Sequence, residues 1–392
     1  MISERMNRLV NNNSVIREMF EEGKKLKNKF GEDNVYDFSL GNPSVKPPIQ
    51  INDAIKKCLD IDNIHAYMNN AGYEDVRKNI ANSLNKKFNT EFSEKNIVMS
   101  VGAAGGLNVT LESILNPNDE VIVFIPYFME YKNYIENYNG KIVEVLCNEN
   151  FEPDIDDFEK KINSNTKAVI VNSPNNPSGV IYSEETIIKL SNILRKKEEE
   201  FNKAIYLIAD EPYREIVYDK IEVPYLTNYY KDTIVVYCYS KSLSLPGERI
   251  GYVVVPSEAE DFENLVQAIT ISTRILGFVN APSLIQKAVA ECVDIKADMT
   301  EYKENREILY NGLIDAGYEC KKPQGTFYLF LKSPILDEKE FCSIAKKFNI
   351  LMVPGSSFSK PGYVRLAFCT STKMVRNSIP KFKELMNYIK NI

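Results

Sequence analysis

The feature that most constrains the fold is a series of short valine- and isoleucine-rich runs between residues 97 and 255. The runs do not alternate polar with apolar residues, a pattern typical of parallel strands covered on both faces. They occupy residues 97–101, 121–125, 141–146, 167–172, 204–210, 233–239 and 251–255. Between them the pattern is helical, as in 183–201, where Ser183 can cap a helix with regularly spaced leucines and isoleucines. The sequence therefore predicts an α/β fold, with a mostly parallel seven-stranded sheet between helices.

The pattern changes after about residue 285 and predicts a second, smaller α+β domain. A helix over 284–316 is expected first, followed by short apolar runs and a terminal helix. The length of 392 residues is enough for about two domains. We accordingly expect an N-terminal arm that is also part of the small domain, a large domain, and a small C-terminal domain, at residues 1–45, 46–285 and 286–392.

The composition disfavours several classes of function. A net charge of −6 offers no basic face for a nucleic-acid backbone. No apolar run approaches the roughly 20 residues of a membrane-spanning helix, and the N-terminus lacks a signal-peptide segment. The seven scattered cysteines include no C-x-x-C pair, so we expect reduced thiols, a cytoplasmic protein and no metal site. His65 is the only histidine, which disfavours a histidine-based triad, and we expect it to pack or to lie at an interface.

Five of the predicted strands are followed by loops with residues suited to ligand binding. Ligands of open α/β sheets bind beyond the carboxyl ends of the strands. Each loop alone can be explained as a turn or a helix cap, but together they indicate one shared ligand. The loops are GAAGGLN (102–108), PYFMEY (126–131), SPNNPSG (173–179), DEPY (210–213) and SKS (240–242).

The side chains of these loops match the needs of a pyridine-aldehyde cofactor. Lys241 could act as a nucleophile toward the aldehyde. Asp210 could keep the ring nitrogen protonated, so that the ring withdraws electrons. Tyr213 and Asn176 are neutral donors for the phenolic oxygen, and Phe128 is placed to stack on the ring.

The phosphate of such a cofactor needs backbone N–H groups at a helix N-terminus and a cationic fork. The backbone of Gly102, Ala103 and Ala104 can provide the first, and Arg249 the second. Pyridoxal 5′-phosphate meets all of these requirements together.

The chain resembles the class I/II aminotransferases, which belong to the fold-type I pyridoxal-phosphate superfamily, along nearly its whole length. The combination of DEPY with S-K-x4-P-G-x-R-x-G-Y is the most specific part of the resemblance. The motifs, in the family's order, are LGNPS (40–44), YMNNAGYEDVR (67–77), VGAAGG (101–106), PYFMEY (126–131), NSPNNPSG (172–179), ADEPY (209–213), SKSLSLPGERIGY (240–252) and YVRLAF (363–368).

The resemblance implies a pyridoxal-phosphate-binding large domain and transamination between an L-α-amino acid and a 2-oxo acid, with aspartate as one possible donor. It gives Lys241 the covalent link to the cofactor and the transfer of the substrate's α-proton. It gives Arg365 the substrate α-carboxylate, with help from Gly41 and Asn176. Tyr67 would reach the phosphate of a neighbouring subunit, which implies a homodimer with shared sites.

Two positions depart from the family pattern. Many relatives have a phosphate-binding serine where this chain has Cys238, a weaker donor that Ser240 could replace. Relatives that select aspartate hold its distal carboxylate with a basic side chain, in one group at the position of Ala104. Arg274 of one subunit could bind the distal carboxylate in the site of the other subunit, or it could be an ordinary surface residue.

Three alternatives remain at this stage. A carbon–sulfur β-lyase or an amino-acid decarboxylase would use the same fold and cofactor. A nucleotide-binding dehydrogenase is suggested by VGAAGG, but no acidic residue closes the next strand, which runs into Pro126. A non-catalytic aminotransferase-like regulator would need an N-terminal DNA-binding domain, for which the roughly 40 residues before LGNPS leave no room.

Overall fold

The computed structural model describes residues 2–11 and 15–391. Met1, residues 12–14 and Ile392 lie outside this range, so the predicted segments 1–45 and 286–392 are described in part. The helices are α1 (Glu4–Asn11), α2 (Val15–Phe30), α3 (Ile49–Cys58), α4 (Glu74–Phe88), α5 (Gly102–Ile114), α6 (Glu130–Asn137), α7 (Ile155–Lys161), α8 (Glu184–Phe201), α9 (Tyr239–Ser242), α10 (Phe262–Ile275), α11 (Ser283–Ala290), α12 (Thr300–Asp315), α13 (Glu338–Lys346) and α14 (Thr372–Lys390).

The strands of the large sheet follow the predicted apolar runs to within about two residues at each end. All strands of the chain are β1 (Tyr36–Asp37), β2 (Ile97–Ser100), β3 (Glu120–Phe124), β4 (Lys141–Val145), β5 (Thr166–Asn172), β6 (Tyr206–Asp210), β7 (Thr233–Cys238), β8 (Gly251–Val254), β9 (Tyr328–Lys332), β10 (Ile350–Leu351), β11 (Val353–Pro354) and β12 (Tyr363–Ala367).

The large sheet has seven strands in the order β2-β8-β7-β6-β5-β3-β4. Every neighbouring pair is parallel except those of β8, which runs antiparallel to both β2 and β7. The predicted fold class is therefore confirmed. The parallel strands β5, β6 and β7 end at one edge of the sheet, which brings the loops that follow them together.

Both faces of this sheet are buried, which explains the lack of polar alternation in its strands. In β3, Val121 and Val123 join one hydrophobic cluster, whereas Ile122 and Phe124 join the cluster on the opposite face. Successive side chains of a strand point to opposite faces, so every position of such a strand must be apolar. Among the described residues no helix is long and apolar enough to cross a bilayer.

The smaller part of the molecule has its own core around the antiparallel strands β11, β12 and β9. Tyr36 and Phe38 join this core, and β1 pairs in parallel with β10, so the chain around β1 packs with the C-terminal elements. This arrangement brings Arg365 of β12 to the loop after β5, where it bonds Asn176.

The prediction of a single helix over 284–316 is wrong, because the structure has two helices, α11 and α12, in this segment. The segment between them turns back to the larger core, where Cys292 is buried and Asp294 bonds Ser83. Asp298 then accepts a hydrogen bond from the backbone N–H of Thr300 at the start of α12. The buried hydrophobic residues of α11 and the partly buried Ile295 pack on the larger core, so we propose a domain boundary just before α12.

Candidate active site

Lys241 lies just beyond β7, in the short helix α9. Its Nζ donates a hydrogen bond to the carbonyl oxygen of Gly41 at 3.1 Å and lies 5.4 Å from the centre of the Phe327 ring. Burial lowers the pKa of Lys241, and the charges of Arg249 and Arg365 act in the same direction. A lysine whose pKa is lowered has a larger neutral fraction, which is the form that attacks an aldehyde.

Asp210 ends β6, next to the strand that leads to Lys241, and its side chain is 4% exposed. Oδ2 accepts a hydrogen bond from the hydroxyl of Tyr131, and Asn172 donates to the backbone carbonyl of Asp210 at 2.9 Å. Oδ1 is buried and has no hydrogen-bond partner among the described residues. Burial raises the pKa of the Asp210 carboxyl to about 7. A buried carboxylate with one free oxygen fits a cationic ring N–H, which would both pair the oxygen and restore the charge.

Tyr213 is buried three residues after Asp210, in the loop that follows β6. Its hydroxyl lies 3.1 Å from the hydroxyl of Tyr328, a residue of β9. The Nζ of Lys241 lies 6.0 Å from the centre of the Tyr213 ring. The structure thus brings the predicted donor Tyr213 beside the predicted nucleophile.

The N-terminus of α5 lies against Arg249. Gly102 is the first residue of the helix and has a φ of +76°, and a Cβ there would lie 2.8 Å from Nη2 of Arg249. The guanidinium donates to the carbonyl of Pro246 at 2.9 Å. The N–H groups of Gly102, Ala103 and Ala104 belong to the first helical turn, which has no intrahelical acceptors for them. This combination of N–H groups and a guanidinium can hold a phosphate.

The sequence predicts that either of two residues could add a donor for the phosphate. Cys238 is the last residue of β7, and Ser240 follows in α9; both side chains are buried. Cys238 stands where many relatives have a phosphate-binding serine, and the replacement of that serine by Ser240 stays a prediction.

Arg365 lies in β12 and is buried, with its guanidinium next to the loop that follows β5. It donates to Oδ1 of Asn176 at 3.1 Å and to the backbone carbonyl of Ser39 at 3.0 Å. Its Nε is buried without a hydrogen-bond partner among the described residues. An arginine held in this way, with a donor still free, is suited to a carboxylate.

Three predicted residues lie at or beyond the rim of this group. Phe128 is partly buried and contacts the Tyr131 ring edge-to-face at 5.6 Å. Tyr67 is 90% exposed, and Arg274 is exposed in the last turn of α10. The fold does not bring Tyr67 or Arg274 into the site of their own chain.

Sequence reasoning missed three residues that organise the site: Tyr131, Asn172 and Tyr328. Two of them carried a signal, because Tyr131 ends the quoted motif PYFMEY and Asn172 begins NSPNNPSG. Asn172 pairs in register with Asp210, and its Oδ1 accepts the backbone N–H of Asn176 at 2.8 Å. Tyr328 lies in a strand of the small domain, where its sequence context gave no indication of a role in the site.

The sequence model of the family described as aminotransferase class I and II matches residues 33–381. The chain belongs to this family. A solved structure, an aminotransferase from Eubacterium rectale, is 46% identical to this aminotransferase, with a TM-score of 0.97 over 100% of this chain and 99% of that one.

Two curated relatives are each 30% identical to this aminotransferase. One is the aspartate aminotransferase of Pyrococcus horikoshii, with 98% of this chain and 97% of the relative covered. The other is a probable N-acetyl-LL-diaminopimelate aminotransferase of Bacillus subtilis, with 90% and 89% covered. The chain is thus an enzyme of the transaminase type, and neither the lyase or decarboxylase nor the dehydrogenase or regulator is favoured. Members of the family generally depend on pyridoxal phosphate.

Proposed function

We propose that this aminotransferase binds pyridoxal 5′-phosphate at the described site and moves an amino group from an L-α-amino acid to a 2-oxo acid. The observation that carries the proposal is the unpaired, buried Oδ1 of Asp210 at the end of β6, one strand away from Lys241. With a neutral ligand, the negative charge of the buried Asp210 carboxyl would remain costly. The positive charge of a protonated pyridine ring would offset that cost. When bound, the cofactor supplies an aldehyde that condenses with amines and a ring that withdraws electrons from the substrate α-carbon.

Each residue of the site has a role that follows from its contacts. Oδ1 of Asp210 accepts the ring N–H, and the hydroxyl of Tyr213 and the amide of Asn176 donate to the phenolic oxygen. Nζ of Lys241, whose pKa is lowered, would accept the proton of the substrate α-carbon and hold it within the site. Nε and the free N–H groups of Arg365 hold the substrate α-carboxylate.

The remaining predicted residues complete the cofactor site. The first turn of α5 and Arg249 hold the phosphate, and Ser240 adds a donor in place of the missing serine at position 238. Phe128 stacks on the ring from its place beside Tyr131. The N–H groups of this first turn lack intrahelical acceptors, so they can bind an anion together.

We propose a homodimer in which Tyr67 completes the phosphate site of the partner subunit. The support is the 90% exposure of this aromatic side chain, which a monomer would leave in water. Arg274 is exposed on the same chain and could read the distal carboxylate of a substrate in the partner's site.

The seven free cysteines support a cytoplasmic location.

Aspartate is the first donor to test, because the relative from Pyrococcus horikoshii is an aspartate aminotransferase. The equally similar relative from Bacillus subtilis carries a different substrate name, so similarity alone does not fix the donor. A panel of aspartate, alanine, branched and aromatic amino acids, each with 2-oxoglutarate or pyruvate, measures the preference. Release of pyruvate and ammonia from a cystathionine-like substrate without an acceptor would contradict transamination.

The test of the proposal is Lys241→Ala, with Lys196→Ala as control. Lys196 lies on the surface, in an ion pair with Glu159. Borohydride reduction of the wild-type enzyme loaded with pyridoxal phosphate should fix the cofactor on the peptide that contains residue 241. Lys241→Ala should take no label and lose roughly 100- to 10,000-fold in turnover, while the control matches wild type. Unchanged turnover in Lys241→Ala, or a wild-type protein that takes up no cofactor, would overturn the proposal.

A further inference from the structure

Tyr328 is a buried residue of β9 that touches both halves of the site. Its hydroxyl lies 3.1 Å from that of Tyr213, and its ring centre lies 4.4 Å from the guanidinium carbon of Arg365. It also leaves no room for a side chain at position 41, since a Cβ at Gly41 would lie 1.9 Å from the Tyr328 hydroxyl oxygen. The carbonyl of Gly41 in turn accepts the hydrogen bond from Lys241. Tyr328 is therefore adjacent to the cofactor donor, the carboxylate-binding arginine and the segment that positions the lysine.

We infer that Tyr328 is a positioning residue with two separable actions: its hydroxyl acts through Tyr213, and its ring acts through Arg365. This inference rests on the proposed function, which places the cofactor's phenolic oxygen against Tyr213 and the substrate carboxylate against Arg365.

The hydroxyl action follows from the number of protons available. A tyrosine hydroxyl has one proton to donate and can accept a hydrogen bond at its oxygen. Once Tyr213 donates to the phenolic oxygen of the cofactor, the proton between the two tyrosines must come from Tyr328. A hydroxyl that accepts a hydrogen bond becomes a stronger donor, and the effect is larger where water is excluded. Tyr328 thereby strengthens the bond that stabilises negative charge on the phenolic oxygen.

The ring action follows from the surroundings of Arg365. The guanidinium contacts the rings of Tyr328 and Phe358, with the second centre at 4.9 Å. The two hydrogen bonds to Asn176 and Ser39 fix its in-plane orientation. A guanidinium on an aromatic face is attracted to the ring, and the attraction increases when the pair is desolvated. The Tyr328 ring thus holds the Arg365 guanidinium in the plane in which that group binds a carboxylate.

Tyr328→Phe removes the hydroxyl and keeps the ring, and Tyr328→Leu removes both. In cofactor-loaded Tyr328→Phe, the pH midpoint of the visible absorbance change should move upward. Without the hydroxyl, the negative charge on the phenolic oxygen of the cofactor is less stabilised, so a proton close to that oxygen is lost only at higher pH. The affinity of that variant for maleate, an unreactive dicarboxylate, should stay within about 2-fold of wild type. In Tyr328→Leu the maleate affinity should also fall, by roughly 2- to 30-fold. If the leucine variant does not fold, Tyr328→Met replaces it, since methionine fills the space without a ring.

Tyr318→Phe is the matched control, because Tyr318 is another buried tyrosine of the small domain, with its hydroxyl bonded to the carbonyl of Phe382 at 3.0 Å. It should lose some stability but keep the absorbance midpoint and the maleate affinity. Tyr328→Phe with the wild-type midpoint would overturn the hydroxyl action, and a ringless variant with wild-type maleate affinity would overturn the ring action. If Tyr213→Phe also leaves the midpoint unchanged, or wild type takes up no cofactor, the proposed function itself has failed.

Discussion

The hydroxyl of Tyr131 donates a hydrogen bond to Oδ2 of Asp210, so that one oxygen of this buried carboxylate is paired, whereas the other, Oδ1, has no partner among the described residues. Tyr131 belongs to α6 and is itself fully buried, which fixes the carboxylate in orientation. The bond favours the charged form of Asp210, whereas burial disfavours it. The charge state of Asp210 therefore depends on its hydrogen bond with Tyr131.

Tyr131→Phe should keep the cofactor but weaken catalysis. Loss of the hydrogen bond raises the pKa of Asp210 further, so the carboxylate holds the ring proton less well. A hydrogen bond to a charged group contributes about 1.5–3 kcal/mol, which corresponds to a turnover loss of roughly 10- to 100-fold. Steady-state kinetics with saturating cofactor measure the loss. Tyr138→Phe, which removes a bond to Asn108 at the end of the same helix, should be unaffected, and equal activities in the two variants would refute the role of Tyr131.

The apoprotein should lose stability as the pH rises, because of Asp210. Its pKa is raised from 3.8 to about 7 in the folded protein, so folding favours the protonated form. The penalty for the buried charge is absent below pH 3.8, grows between the two values, and is complete above about pH 7. Asp210→Asn removes the charge, so the apo variant should gain stability relative to apo wild type between pH 5 and pH 8. Urea unfolding at both pH values measures this, and a difference that does not depend on pH would contradict the prediction.

Gly102→Ala should impair cofactor retention. The residue has a φ of +76°, and an added Cβ would lie 2.8 Å from Nη2 of Arg249. The first turn of α5 or the arginine must then move away from the phosphate position. We expect the dissociation constant of pyridoxal phosphate to rise by about 10-fold or more, measured by fluorescence titration of the apoprotein. Gly247→Ala is the control, since its Cβ would meet no atom within 4 Å, and equal affinities in both variants would argue against phosphate at this helix.

Arg274→Ala should change substrate preference if its side chain reads an acidic substrate in the partner's site. The kcat/KM ratio of aspartate to alanine should fall by about 10-fold or more, because a charged hydrogen bond to the distal carboxylate is lost. Activity with alanine should remain. Arg376→Ala, at an exposed arginine paired with Glu304, is the control. An unchanged ratio would show that Arg274 is an ordinary surface residue.

The predicted site residues that the fold brings to one edge of the large sheet belong to continuous motifs. Asp210 ends an apolar strand and Lys241 lies three residues after the end of the next one, so the parallel strands alone were enough to place them at one edge. The residues that it missed depend on contacts between distant segments: Tyr328 meets Tyr213 across 115 positions, and Tyr131 meets Asp210 across 79. The break between α11 and α12 was missed for the same reason, since it is fixed by packing against the larger core.

The sequence by itself determined the sheet, its two-sided burial and the order of the loops, because strands covered on both faces must be apolar at every position. It also predicts the chemical type of the site, since a lysine, an aspartate and an arginine at fixed motif positions match few ligands. Only the tertiary structure decided which oxygen of Asp210 is free, which ring supports Arg365 and which predicted residues stay apart. Those features depend on packing distances of a few ångströms between elements far apart in the chain, and such distances are not encoded in any local pattern.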